Sequence, residues 1–298
     1  MKGRKRFQTR RKTRKQKSRR QRGGNGKNNG AVAAAAPIRI SMPQLCFGTV
    51  QQNLEIKLPE ALGLGYRHID GADAYGSSDY RHKINYFIKA IPRNQLWITW
   101  KSDAISVDNI RQTIADLDCN YLDLYLVHHS CGTDADMIEL QRAKDLNLIR
   151  YFGVSNCHDL GVLRERKERY DIFANQIQAR PPGGEIAERP NLPPDFFEQC
   201  NALGINIMFF STISSLQSQN WFYGNDRASK LATVNKYYIQ KYLKPANVVM
   251  VSSVYPGSTT LSDNMVYVTT FLSGTPLLSE EQMKETEIFL QGITLNYM

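Results

Sequence analysis

The chain has 298 residues, 42% of them hydrophobic, enough for one sizeable core. Its formal net charge of +10 is misleading: fourteen of the 38 Lys and Arg lie in residues 1–30, where there is no acid, so the other 24 bases face 28 acids and the rest of the chain is net −4. No apolar run reaches the ~18 residues that a membrane span needs, and the charged start is unlike a secretory signal, so no membrane association is expected.

In chain order, residues 1–30 cannot bury a core, because like charges repel and apolar side chains are nearly absent. A disordered basic arm is expected there. Gly23, Gly24, Gly26 and Gly30, with Asn25, Asn28 and Asn29, form a flexible linker. An alanine-rich stretch at 31–36 ends at Pro37, so the arm and linker span 1–37 and the folded body 38–298. Strand patterns follow at 44–49, 68–70, 96–101, 122–128, 151–154, 174–178, 205–210 and 248–254. Helical patterns lie between them at 59–64, 79–90, 107–117, 137–146, 159–170, 195–203 and 228–242. Eight strands alternating with helices over about 250 residues predict a (β/α)8 barrel, an α/β fold whose chemistry sits at the C-terminal ends of its strands. A further pattern at 278–284 lies about fifteen residues from the end. Five cysteines (Cys46, Cys119, Cys131, Cys157, Cys200) are dispersed without metal-ligand spacing. That set fits a reducing, intracellular compartment, and no metal is expected.

Four side chains fall at or just after strand ends: Asp70, Tyr75, Lys101 and His128. Together they make a proton-transfer site. A lysine ammonium favours phenolate over phenol and lowers the tyrosine toward working pH. An aspartate beside the lysine keeps it charged. A histidine can orient a carbonyl oxygen and donate to it as charge develops. Each has a plainer alternative: a loop tyrosine satisfying a neighbour, a lysine snorkelling to water, a strand-end aspartate cap, or a core histidine.

The segments that carry these residues, GYRHIDGADAYG at 65–76, LWITWKS at 96–102, YLDLYLVHH at 121–129 and LIRYFGVSN at 148–156, resemble the aldo-keto reductase family in composition and order. The resemblance runs from about Met42 to about Met283. It implies an oxidoreductase that reduces aldehydes or ketones with NADP or NAD, Tyr75 giving the proton, Lys101 and Asp70 tuning it and His128 orienting the carbonyl. It also implies that Ser155, Asn156 and Gln176 hold the nicotinamide carboxamide, although Ser155 or Asn156 could equally cap a helix. Phe210-Ser211 stands where relatives have Tyr-Ser and keeps an aromatic face for stacking. Gly48-Thr49 matches the family's first-strand Gly-Thr. Pro256-Gly257-Ser258 resembles the turn at the adenosine end, where Ser258 and Thr259 can bond a phosphate. The arginine that relatives carry after it is missing, and Asp263 lies nearby, so the preference between NADPH and NADH stays open.

Several neighbours depart from the family pattern: Val50 and His129 replace tryptophans, and Ser130 a proline. Only about eight residues separate His129 from the helical pattern near Met137. These changes alter the substrate pocket more than the proton chemistry. An alternative function is a cofactor-binding sensing or regulatory barrel without turnover, anchored through its arm. The arm itself fits a nuclear or nucleolar address or a non-specific nucleic-acid contact, against the plainer alternative of a solvated tail. Phe7 is its one aromatic residue, so base stacking is not expected. A small carbonyl substrate and a monomeric state complete the expectation.

Overall fold

The computed structural model describes residues 41–50, 53–178, 192–193, 195–210, 227–243, 248–252 and 261–295. The expected arm and linker, and the expected cofactor residues Ser211, Ser258 and Thr259, lie outside these. The described residues form a closed barrel of parallel strands in sequential order: β1 (Leu45–Gly48), β2 (His68–Ala72), β3 (Trp97–Ser102), β4 (Leu122–Val127), β5 (Ile149–Ser155), β6 (Ala174–Gln178), β7 (Asn206–Phe210) and β8 (Val248–Ser252). β8 pairs back to β1, Cys46 opposite Val251. Helices surround it: α1 (Leu54–Gly63), α2 (Ser78–Ile88), α3 (Val107–Asp116), α4 (Asp134–Asp145), α5 (Leu160–Tyr170), α6 (Phe196–Ala202), α7 (Arg227–Tyr242), α8 (Leu261–Leu272) and α9 (Glu280–Leu295). None of the described helices is long and apolar enough to cross a membrane.

Strand alternation explains both the core and the site. Successive side chains of a strand point to opposite faces. In β3, Ile98 and Trp100 join the large cluster packed under the helices, whereas Trp97 belongs to a small cluster with Cys46, Leu124, Leu126, Ala174 and Met208. That small cluster fills the barrel's interior. Its N-terminal end is plugged by stacked aromatic rings, Trp97 on Tyr151 at 5.8 Å and Tyr151 on Phe173 at 4.2 Å. The face that starts at Trp97 continues through Thr99 to Lys101, and the face of Leu124 and Leu126 continues to His128. Lower in the barrel the polar His68 and Thr99 are tied to each other at 2.8 Å, whereas the charged Asp70 and Lys101 lie on the same faces toward its C-terminal end.

Two helix starts differ from expectation. The sequence pattern places a helix over 59–64. Instead α1 starts at Leu54, after Asn53 in the left-handed region (φ 63°), and carries Pro59 inside it. α4 begins three residues before the expected 137 because Thr133 and Asp136 form a reciprocal capping box. The periodic apolar pattern begins only at the buried Met137, so it marks the packed face and not the cap.

Candidate active site

The mouth of the barrel is built from the ends of β1 to β7. Gly48 pairs with Asp70 across β1 and β2. Beyond it, Thr49 donates from its backbone N–H and from Oγ1 to the Asp70 carbonyl, at 3.0 and 2.7 Å. Asp70 then points into the barrel, and two residues later the chain leaves β2 in a single 3-10 turn, Asp73–Tyr75. Asp73 holds this turn. Its carboxylate accepts from Trp100 Nε1 at 2.8 Å, Asn109 Nδ2 at 2.9 Å and Arg81 Nη1 at 3.0 Å. Gly71 is required for the approach: a Cβ there would lie 2.3 Å from the Trp100 ring.

Lys101 is 1% exposed and Asp70 2%. They form a buried ion pair, and Gln176 Nε2 donates to the other Asp70 oxygen at 2.6 Å. The Lys101 ammonium lies 5.2 Å from the centre of the Tyr75 ring, close enough for its charge to act on the hydroxyl. Tyr75 in turn packs edge-on against His128, centroids 5.8 Å apart. Asp70, Tyr75, Lys101 and His128 thus converge from three strand ends, as the sequence suggested.

The electrostatics correct one expectation. Burial pushes the Tyr75 phenol above its ordinary value of 10.0, and the opposing Lys101 charge does not bring it below that value. Tyr75 is therefore a phenol, not a phenolate, at neutral pH. Burial would lower the Lys101 ammonium, but Asp70 and Tyr75 outweigh it and its pKa rises. His128 is lowered to about 4 by burial, then by Lys101 and His129, so its imidazole is neutral at pH 7. Its Nδ1 is buried and has no hydrogen-bond partner among the described residues.

Opposite this cluster, Ser155 and Gln176 sit side by side in the register of β5 and β6, both buried. Asn156 follows in the left-handed region (φ 62°). Its Nδ2 donates to the His128 carbonyl at 3.0 Å and to Ser155 Oγ at 3.1 Å. The helix-capping alternative for Ser155 and Asn156 does not hold, since Asp159 caps α5 by accepting from Gly161 and Val162. Phe210 ends β7 and is half-buried against the inner cluster.

Three features were not read from the sequence. Tyr80, on α2, hydrogen-bonds Thr49 and closes the mouth beside Tyr75, their rings 6.5 Å apart. Asp103, after β3, pairs with His129. Cys131 and Cys157 are joined as a disulfide, which departs from the reading of the cysteines as a dispersed set that fits a reducing compartment. They follow the adjacent parallel strands β4 and β5, which brings positions 26 apart in sequence together. Cys46, Cys119 and Cys200 are free.

The sequence model of the aldo/keto reductase family matches residues 48–250. The chain belongs to the aldo/keto reductase family. It is 35% identical over 144 residues to an aldo-keto reductase of Mycolicibacterium vanbaalenii, covering 42% of this chain and 51% of that one. It is 32% identical over 208 residues to an aldo/keto reductase of Synechocystis sp., covering 58% and 61%. This aldo/keto reductase chain thus spans half to three fifths of the length of these relatives. Its barrel is similar to that of an aldo-keto reductase from Klebsiella pneumoniae solved in complex with NADPH, with a TM-score of 0.66 at 16% identity over 84% of this chain and 91% of that one. A Bombyx mori aldo-keto reductase solved with NADP gives 0.63 at 20% identity over 84% and 90%. At these identities the structural likenesses bear on the fold alone.

Proposed function

We propose that this aldo/keto reductase reduces small aldehydes or ketones to alcohols with NADPH or NADH, Tyr75 being the proton donor. The observation that carries the reading is the buried Lys101–Asp70 pair, its ammonium 5.2 Å from the centre of the Tyr75 ring, beside His128 at the open end of the barrel. The match of the aldo/keto reductase family model to residues 48–250 lends it support.

The residues present suit the nicotinamide half of such a cofactor. A carboxamide needs both a donor and an acceptor, and the Ser155 hydroxyl, the Asn156 amide and the Gln176 amide carbonyl are groups of that kind, clustered at adjoining strand ends. Phe210 offers a ring face at the end of β7, while Gly48 and Thr49 close the opposite side. The remaining expected cofactor residues, Ser211, Ser258 and Thr259, stay part of this proposal. A reduced nicotinamide bound there would supply hydride to the carbonyl carbon.

The chain's own residues then handle the oxygen. His128, neutral and held at its backbone by Asn156, donates to the carbonyl oxygen and orients it. The Tyr75 phenol passes its proton to that oxygen as negative charge builds there. Lys101 stabilises the phenolate left behind, and Asp70 keeps Lys101 charged and in place. Burial that favours the phenol suits a group whose task is to give a proton up. The test is Tyr75→Phe. Turnover should fall by roughly 10²–10⁴-fold, the usual contribution of a positioned acid, while fluorescence titration with NADPH shows near-parental affinity. Equal turnover by the variant and the parent refutes the assignment.

The basic arm, residues 1–30, is proposed to bind polyanions without sequence preference, through counterion release. Its removal should abolish salt-sensitive nucleic-acid binding and leave kcat/KM for a neutral substrate unchanged.

A further inference from the structure

At the edge of the proton-transfer site, three side chains from two strand ends face one another. Asp103 follows β3, and His128 and His129 follow β4. Each offers a ligand atom within 4.8 Å of those of the other two. The set is partly organised: His129 Nδ1 lies 2.8 Å from Asp103 Oδ2, and the His129 backbone N–H donates to Asp103 Oδ1 at 3.1 Å. The two imidazoles stack, with centroids 3.8 Å apart and planes inclined by 24°. Asp103 and His129 are exposed, whereas His128 is 6% exposed and its buried Nδ1 lacks a hydrogen-bond partner among the described residues. A buried ring nitrogen without a partner is costly unless it serves something.

We propose that Asp103, His128 and His129 form a binding site for a borderline divalent cation of the zinc class, and that its occupancy suppresses carbonyl reduction. Two imidazoles and one carboxylate are a donor set suited to zinc and its neighbours, whereas magnesium and calcium require mostly oxygen. Three protein ligands leave room for water, and the exposed side of the cluster admits it. Charge does not forbid the ion. Lys101 is paired with Asp70, which offsets part of its charge, while Asp103 brings a negative charge of its own. The backbone is braced, because Asn156 bonds the His128 carbonyl and the Cys131–Cys157 link ties the segments after β4 and β5. The inhibitory part rests on the proposed reductase reading: a His128 committed to a metal cannot orient a carbonyl beside Tyr75.

The experiment uses the full chain, with Co²⁺ as a visible-absorption probe and Zn²⁺ titrated by calorimetry. His129→Ala and Asp103→Asn, both at exposed positions, serve as variants. The parent should bind one Zn²⁺ that displaces Co²⁺ and resists an equal concentration of Mg²⁺. Each variant should lose at least about tenfold in affinity, the lower end of what even an outer-shell change costs a metal site. Zn²⁺ should inhibit carbonyl reduction by the parent and inhibit each variant less, relative to its own zinc-free rate. No saturable Zn²⁺ binding by the parent, equal competition by Mg²⁺, or unchanged affinity in both variants would overturn the site. Metal binding in a protein without turnover would leave the site standing and remove only the reductase reading.

Discussion

Lys101→Met keeps most of the buried stem and removes the charge. Because Lys101 and Asp70 are almost wholly buried, the variant leaves a carboxylate inside the barrel without its ammonium. Breaking a buried pair from one side costs about 3–5 kcal/mol. The lower end is expected, since Gln176 Nε2 still donates to Asp70. In a domain of this size each kcal/mol shifts Tm by about 2–4 °C, so about 3 kcal/mol lowers it by roughly 6–12 °C. Asp70→Asn should cost a similar amount, by stranding the ammonium. The double variant, with both charges gone and an amide opposite a thioether, should recover much of the loss, as buried pairs replaced from both sides often do. Thermal unfolding followed by circular dichroism on the parent, both single variants and the double closes the cycle. Single variants within about 2 °C of the parent, or a double variant whose loss equals the sum of the singles, would refute the coupling on which the site depends.

The Tyr75 phenol is raised above 10.0, so the donor stays protonated until pH climbs through that raised value. The rate of reduction should hold its plateau to at least pH 10.0 before an alkaline limb begins. Residual activity of Lys101→Met should carry that limb to still higher pH, because the variant loses the charge that favours phenolate; a limb moving to lower pH would contradict this. Thiol titration of unfolded protein should find three free thiols, rising to five after reduction. Reduction should also cost about 3.5 kcal/mol of stability, as the chain-entropy account gives for a loop of this size; five thiols without reductant would remove the crosslink. Weak discrimination between NADPH and NADH, or a preference for NADH, is expected from Asp263 and from the lack of a base between Ser258 and Asn264. Fluorescence titration showing more than a hundredfold preference for NADPH, about 2.7 kcal/mol, would place a 2′-phosphate grip elsewhere.

The sequence by itself determined the alternation of strand and helix, and hence the barrel, because each period-2 or 3.6 run needs its own buried face. It also marked Asp70, Tyr75, Lys101 and His128 as a set, since they lie at or just after strand ends in segments that resemble the aldo-keto reductase family in order. What it did not carry was the register between strands. Only the closed barrel puts the Asp70 carboxylate between Lys101 and Gln176, 106 positions away in the chain. It alone brings the segments after β4 and β5 together to pair Cys131 with Cys157 and to set Asn156 against the His128 carbonyl. The direction of the Tyr75 shift was decided there too. A neighbouring lysine can be read from a motif, but the desolvation that outweighs it comes from what packs around the ring. Local pattern specifies which way a side chain points along its own strand. Which groups it meets, and how much water is left to it, is settled only when all the strands close on one another.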